Sequence, residues 1–322
     1  MRPLVMIAFN EFGDTTVEEE ILKKVGAKIE FTKSILTAEA QEIAKKADAI
    51  AFTTEPIPRE AIETFSSCKI LSRYGTGLDN VDIQAATDHG IWVTNVPDAF
   101  VEEVSTHAIS LLLALNRHLI PLVEYSRQNR WENIGRKISR LRGQTLGLLG
   151  LGFIGRETAK KAKGIGLEVI AYDPYTDGEA FSELGVEQVD FEEMLKRSDY
   201  ISLHTPATDE THQIINNQSI KLMKPTAYLI NTSRGTLIDE DALLQAVQSG
   251  KISGAALDVR ANEPPEPNDL LMKEERIIIT PHLGWCSLEA GNNLRERASQ
   301  AIVDVLQGQR PANPANDPQK GH

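Results

Sequence analysis

Cysteine is scarce in this sequence: Cys68 and Cys286 are the two among 322 residues. They stand far apart and outside any CxxC pair, which excludes a disulfide-built scaffold and fits a reducing compartment. Long apolar runs are missing as well. Pro3–Phe9 is too short for a signal-peptide core with its cleavage site, and Glu11 and Asp14 follow closely. The most apolar helical stretch, Ala108–Leu115, is about half the length a bilayer requires. These features predict a soluble cytoplasmic protein with no membrane partner. Basic charge is in deficit: Lys plus Arg total 34 against 46 Asp plus Glu, a net charge of −12. Nucleic-acid binding needs clustered cations, so no nucleic-acid partner is expected. A small anion held by one or two local arginines is still allowed.

What is present is an ordinary globular mixture, 41% apolar and 25% charged, in a chain long enough for roughly two domains. Short apolar runs alternate with helical patterns. Leu4–Phe9, Lys28–Phe31, Ala49–Phe52, Ile70–Ser72 and Ile91–Val93 read as five strands, with charged amphipathic segments such as Val17–Val25 and Ala38–Lys46 between them. A long helix is expected from near Val101 to about His118, then a polar connector over Gln128–Arg142. The alternation restarts with six strands: Thr145–Leu149, Glu168–Tyr172, Tyr200–His204, Ala227–Asn231, Gly254–Val259 and Arg276–Thr280. Each half thus predicts a parallel α/β sheet. A last helix over about Leu288–Leu306 leads to a Pro/Asn/Gln-rich tail, expected to be loosely ordered from Gly308 onward.

Within TLGLLGLGFIGRETA, residues 145–159, the glycines Gly150, Gly152 and Gly155 form GxGxxG between a predicted strand and a helix over Ile154–Lys163. Gly150 allows the tight turn, Gly152 the close approach of a pyrophosphate, and Gly155 the packing of helix on strand. The helix N-terminus then presents N–H groups and a partial positive charge to the phosphates. Asp173 ends the next strand, where an acid would accept both ribose hydroxyls and repel a 2′-phosphate, favouring NAD over NADP. The alternative is a ligand-free glycine turn, with Asp173 simply opening the Asp173-Pro174 turn.

Three side chains of complementary chemistry follow later strands. Reduction of a 2-keto acid needs a cation for the carboxylate, a proton for the carbonyl oxygen and a hydride. Arg234, in Asn231-Thr232-Ser233-Arg234-Gly235, can bind a carboxylate bidentately. His282, in Thr280-Pro281-His282, can donate the proton as general acid or accept it as base. Glu263, beyond Asp258, would favour the imidazolium and fix its tautomer. Taken singly, each has a plainer reading as surface arginine, loop carboxylate or turn histidine.

These blocks resemble the D-isomer-specific 2-hydroxyacid dehydrogenases, the family that includes phosphoglycerate dehydrogenase. The match is carried by Leu71–Asp82, Gly147–Arg156, Leu229–Asp239 with Gly254–Pro264, and Thr280–Gly284. The resemblance implies two doubly wound α/β domains: a Rossmann NAD-binding domain, residues 100–283, inserted into a flavodoxin-like substrate domain, residues 1–99 and 284–322. Helices near 101–118 and 288–306 cross between them, and the active site lies in the cleft. Arg234, Glu263 and His282 fall on the catalytic Arg, Glu and His. Asp258 falls on the aspartate that contacts the nicotinamide carboxamide. Phe153, Ile154, Thr205, Pro206, Thr232, Ser233 and Gly284 join the glycines and Asp173 around NAD, together with Arg234 and His282. The Arg73-Tyr74-Gly75-Thr76 loop falls on the segment whose N–H groups hold the substrate carboxylate. No metal is implied. A homodimer is implied, and the apolar face Val104, Ala108, Leu111, Leu112 and Leu115 suits either that interface or ordinary core.

The chain departs from the family pattern at several points. Phe153 stands where Arg is common. Phe52-Thr53-Thr54 lacks the Arg that phosphoglycerate dehydrogenases often carry, and Asn133-Ile134 replaces basic residues after Trp131-Glu132, which weakens a phosphorylated substrate. Arg136 or Lys137 could compensate. Asn95-Val96-Pro97, Val101-Glu102-Glu103 and His282–Trp285 resemble the branch related to the C-terminal-binding-protein corepressors. There Trp285 would line the substrate pocket; the alternative is packing on the last helix. The expected function is hydride transfer between NAD(H) and a small D-2-hydroxy or 2-keto acid, as a phosphoglycerate dehydrogenase or a hydroxypyruvate or other 2-oxoacid reductase. The competing class is an NAD(H)-sensing, corepressor-like binding protein. Glu263 argues against formate dehydrogenases, which pair His with Gln, and the absence of a basic residue in Asp173–Thr176 argues against NADP-linked reductases.

Overall fold

The computed structural model describes residues 2–8, 14–131 and 138–319. The chain forms two compact units, Met1–Phe100 with Cys286–His322, and Val101–Trp285.

The first unit is a five-stranded sheet of β1 (Leu4–Ala8), β2 (Lys28–Thr32), β3 (Ala49–Phe52), β4 (Ile70–Arg73) and β5 (Trp92–Thr94). Helices α1 (Thr16–Leu22), α2 (Ala38–Ala44), α3 (Arg59–Ile62) and α4 (Ile83–Asp88) connect the strands. Every pairing is parallel and the order is β2-β1-β3-β4-β5. β3 and β4 are buried at every position, as parallel strands covered on both faces must be. Asp82 caps α4 by accepting from Ala85 N–H at 2.7 Å. The final helix of the chain, spanning Leu288–Leu306, returns to this unit with Ser287 as its N-cap.

The second unit opens with α5 (Val101–Asn116) and α6 (Leu119–Arg127). β6 (Thr145–Leu149), α7 (Phe153–Gly164), β7 (Glu168–Tyr172), α8 (Gly178–Leu184), β8 (Glu187–Gln188) and α9 (Phe191–Arg197) follow. The unit ends with β9 (Tyr200–Leu203), α10 (Asn217–Leu222), β10 (Tyr228–Asn231), α11 (Glu240–Gln248), β11 (Gly254–Leu257) and β12 (Ile277–Ile279); the Leu288–Leu306 helix is therefore α12. The sheet order β12-β11-β10-β9-β6-β7-β8 reverses direction between β6 and its two neighbours, and all pairings are parallel. This is the doubly wound arrangement, which gathers ligands at the carboxyl ends of β6 and β9. One apolar cluster fills each face of the sheet, the first around Leu195, Leu229 and Leu243, the second around Leu112, Leu148 and Ala159.

Three expectations require correction, and one open alternative is narrowed. The first long helix stops at Asn116 because His118 adopts a left-handed φ of 49°, and α6 begins after it. The second sheet has a seventh strand, β8, whose two exposed residues carry no apolar signal. The tail is not loose: Thr94 bridges Pro314, Ala315 N–H donates to Val93 O at 2.8 Å, and Asn316 bonds Val93 N–H and Ile91 O, both at 2.8 Å. The α5 face is buried from Val104 to Leu115, and Ala108, Leu111, Leu112 and Leu115 pack in the apolar cluster of their own unit. The exposed apolar side chains lie on α6 instead, at Leu119, Ile120, Leu122 and Val123. The predicted connector carries no helix or strand in its described residues, and 132–137, including Asn133, Ile134, Arg136 and Lys137, lie outside them. No single helix among the described residues is long and apolar enough to cross a membrane.

Candidate active site

The site is assembled from loops at the carboxyl ends of β6, β7, β9, β10, β11 and β12. Leaving β6, Gly150 turns with φ 98°, and a Cβ there would lie 2.5 Å from His204 O. A Cβ on Gly155 would sit 2.3 Å from Gly150 O, so the first and third glycines are set by close backbone approach. Gly152 differs: a Cβ on it would meet nothing within 4 Å. It is the N-cap of α7, and no side chain caps the helix there. The second glycine thus borders open space in front of a helix N-terminus, the cradle that a dinucleotide pyrophosphate fits. Phe153 begins α7 with its ring exposed, while Ile154 lies beside it, half-buried. The cation near the loop is Arg156, whose Nε donates to Leu151 O at 2.9 Å.

Asp173 lies just beyond β7 and is already engaged. Its Oδ2 accepts from Leu151 N–H (2.7 Å) and Thr176 Oγ–H (3.0 Å), and its Oδ1 accepts from Tyr175 N–H (2.9 Å). A carboxylate offers about four acceptor positions, so one is left. The expectation that Asp173 takes both ribose hydroxyls therefore needs the Thr176 hydroxyl to turn away. Across the same edge, Tyr175 donates its hydroxyl to Glu210, tying the loop after β7 to the loop after β9 that contains Thr205 and Pro206.

Beyond β10, Asn231 arranges the turn by accepting from Ser233 N–H and donating to Arg234 O. Ser233 turns its hydroxyl inward to Leu203 O at 2.8 Å, whereas Thr232 Oγ1 is buried without a protein partner among the described residues. That orphaned hydroxyl suits a ligand amide or hydroxyl. Arg234 is half-buried and bonds Ser233 O at 2.8 Å.

Glu263 and His282 meet at 2.6 Å between Oε2 and Nδ1. Glu263 Oε1 accepts from Arg260 N–H at 2.7 Å. Burial pushes the Glu263 carboxyl up, but the bonds from His282 and the Arg260 N–H outweigh it and hold the group below its ordinary range. Glu263 is therefore an anion and acceptor, which places a proton on Nδ1 and leaves Nε2 for proton exchange. His282 has φ 57°, an uncommon backbone state for a non-glycine residue that costs roughly 1–3 kcal/mol and clusters at functional sites.

Asp258, assigned by resemblance to the nicotinamide carboxamide, is occupied by the protein. It is 3% exposed; Oδ1 accepts from Thr280 Oγ–H (2.5 Å) and Leu283 N–H (3.2 Å) and approaches His107 Nε2 (3.3 Å), while Oδ2 accepts from Gly284 N–H (2.8 Å). Gly284 is required by that approach, since a Cβ there would lie 2.8 Å from Oδ2. Trp285 is half-buried at the end of this unit.

In the other unit, the Arg73–Thr76 loop turns two of its side chains inward. Arg73 bonds Gly77 O and Asn80 Oδ1, and Tyr74 is 5% exposed with its hydroxyl on Glu18. Tyr74 N–H is bonded to Phe52 O at 2.8 Å and is thereby engaged within its own unit. Four residues that the motifs did not reveal are Thr176, His107, Arg260 and His204. His204 is buried and held neutral down to about pH 4 by loss of solvation. Only topology brings the distant partners of His107 and Arg260 together.

A dinucleotide cradle and a carboxylate-oriented histidine at the carboxyl ends of strands of one parallel sheet are the parts of an oxidoreductase of the nicotinamide class. Residues 109–284 match the D-isomer specific 2-hydroxyacid dehydrogenase NAD-binding domain, and the chain belongs to that NAD-dependent family. A glyoxylate reductase of Thermococcus litoralis is 38% identical over 283 residues, 85% of each chain. A D-3-phosphoglycerate dehydrogenase of Methanocaldococcus jannaschii is 39% identical over 301 residues, 93% of this chain and 57% of that longer protein. Among solved structures, a glyoxylate reductase from Paecilomyes thermophila superposes with a TM-score of 0.89 at 27% identity, covering 98% of both chains.

Proposed function

We propose that this protein reduces a short, unphosphorylated 2-oxo acid such as glyoxylate or hydroxypyruvate to the 2-hydroxy acid, the D-isomer where C2 becomes a stereocentre, with His282, Glu263 and Arg234 as the catalytic residues. The observation that carries this is the 2.6 Å Glu263–His282 contact, in which one carboxylate oxygen orients the imidazole and the other is fixed by a backbone N–H. NADH, held by Gly150, Gly152, Phe153, Ile154, Gly155, Asp173 and Thr232, supplies the hydride. Arg234 binds the substrate carboxylate and polarises the carbonyl; its fork can take two oxygens at once. His282 delivers its Nε2 proton to the carbonyl oxygen as that oxygen becomes an alkoxide, and Glu263 balances the imidazolium charge before transfer. Reversal of both transfers gives oxidation.

Phe52-Thr53-Thr54-Glu55 supports an unphosphorylated substrate: no cation stands there, and Glu55 is fixed by accepting from Ile35 N–H at 2.6 Å. The protein is further proposed to be a cytoplasmic homodimer joined through the exposed apolar residues of α6. Light scattering should give twice the chain mass, and Leu119→Asp with Val123→Asp should give a monomer.

The deciding assay is NADH oxidation with glyoxylate, hydroxypyruvate, pyruvate, phenylpyruvate and 3-phosphohydroxypyruvate. Turnover should be best with one of the first two, and no turnover with any of the five would end the proposal. His282→Ala should lower kcat by about 10²–10⁴ while NADH binding persists.

A further inference from the structure

We propose that Arg260 is a positioning residue for the Glu263–His282 pair, acting through its backbone N–H and through the ion pairs that hold it in place. This rests on the catalytic assignment above. Arg260 touches none of the proposed reacting atoms. Its side chain is 4% exposed and forks onto two carboxylates from separate elements. Nε and Nη2 bind Glu240 at 2.9 and 3.0 Å, and Nη2 also binds Asp269 at 2.8 Å. Glu240 is the first residue of α11, where the helix dipole favours a carboxylate, and its Oε1 also accepts from Ala261 N–H at 2.9 Å. The guanidinium therefore pins the loop after β11 to the start of α11 and, further along the chain, to Asp269.

The pinned backbone meets the whole catalytic set. Arg260 N–H donates to Glu263 Oε1, and Glu263 Oε2 orients His282. On its other side, Arg260 packs against the turn carrying Arg234: a Cβ on Gly235 would lie 1.9 Å from Arg260 C. One residue thus separates, and spaces, the carboxylate-binding arginine and the proton-transfer pair. A lysine has a single point charge and cannot hold both carboxylates in this fork, so the geometry calls for arginine. Without the pin, Glu263 keeps its charge but loses its fixed direction, and the imidazole is free to exchange tautomers. Displacement of a catalytic group by about 1 Å can cost on the order of 10²-fold.

The test uses the full chain with Arg260→Met, Arg260→Lys, Glu263→Gln and the Arg260→Met/Glu263→Gln double variant. ¹⁵N NMR of histidine-labelled protein should show His282 protonated at Nδ1 in the wild type and mixed tautomers in Arg260→Met, the signal being assigned by its loss in His282→Ala. With the best keto acid, Arg260→Met should lower kcat about 10- to 100-fold with NADH affinity within about twofold of wild type, and Arg260→Lys should recover part of that loss. Because Arg260 acts through Glu263, the double variant should lose little beyond Glu263→Gln alone. An unchanged tautomer, or losses that multiply in the double variant, would overturn the proposal. If Arg260→Met does not fold, Glu240→Gln with Asp269→Asn removes the same pins and carries the same expectations. A wild type that turns over no keto acid would end the functional proposal, whereas the NMR measurement would still decide whether Arg260 orients His282.

Discussion

Replacing Asp258 by Asn asks whether charge or only shape holds the loop that carries His282. The two side chains are isosteric, but Asn presents an NH₂ where Asp has an acceptor. At the Oδ2 position that NH₂ would face the Gly284 N–H, donor against donor, across a 2.8 Å contact. At the Oδ1 position Thr280 could turn its hydroxyl to accept, but the Leu283 N–H would lose its acceptor. Either way at least one hydrogen bond to a charged group is lost, about 1.5–3 kcal/mol, and those remaining fall to the neutral range of about 0.5–1.5 kcal/mol each. The sum is a destabilisation of about 2–5 kcal/mol. For a unit of this size each kcal/mol shifts Tm by roughly 2–4 °C, so Tm should fall by about 4–20 °C. The pH dependence adds a second signature. Burial raises the Asp258 carboxyl, but bonds from His107, Thr280 and Gly284 N–H more than compensate and hold it below its ordinary value. A carboxyl lowered in the folded state contributes stability above its unfolded pKa and loses it as pH falls through the folded value. The Tm gap between wild type and Asp258→Asn should therefore be steady above about pH 5 and narrow below about pH 4. Calorimetry from pH 3 to 8 measures it. A Tm within 1 °C of wild type at pH 7, or a gap that does not narrow in acid, would refute the assignment of Asp258 as a buried anion.

Gly152→Val should leave Tm nearly unchanged, because its Cβ enters open space, yet weaken NADH binding tenfold or more by filling the cradle; fluorescence titration reads it. Thr176→Val should tighten NADH by freeing an acceptor position on Asp173 Oδ2, and Asp173→Ala should narrow the preference for NADH over NADPH in the same titration. Asn316→Ala removes three side-chain bonds, to Val93 N–H, Ile91 O and Thr87 Oγ1, and should lower the stability of the first unit by about 2–3 kcal/mol in urea denaturation.

The parts legible in the sequence are those whose cause is local. GxGxxG, its flanking strand and helix, and Asp173 lie within one βαβ segment, so spacing alone predicts Gly150 turning and Gly155 packing. The apolar runs of β3 and β9 announce parallel strands because both of their faces are covered. Resemblance places Glu263 and His282 together, but does not reveal that both oxygens of Asp173, Asp258 and Glu263 are engaged by protein groups. The role of Arg260 is not legible locally, because its partners Glu240 and Asp269 lie 20 and 9 residues away. Composition predicts a loose tail because it describes a free chain, whereas Asn316 finds its partners on and beside β5, more than 220 residues earlier. The α5 face was ambiguous because helical periodicity shows that a face is covered, not what covers it.

The net charge of −12 sits oddly beside a cofactor and a substrate that are both anions. The structure resolves this by spending its carboxylates on protein donors. Asp258 takes up the loop after His282, Glu263 takes up His282 and Arg260 N–H, Glu240 and Asp269 take up Arg260, and Asp173 takes up the phosphate loop. An acid neutralised at close range contributes little field beyond its partner, since opposite charges a few ångströms apart act at distance as a dipole. The proposed anion-binding groups are the N-terminus of α7, the Arg234 guanidinium and, once protonated, His282. These five carboxylates thus build the frame around the candidate site, so global charge is a poor guide to what that site attracts.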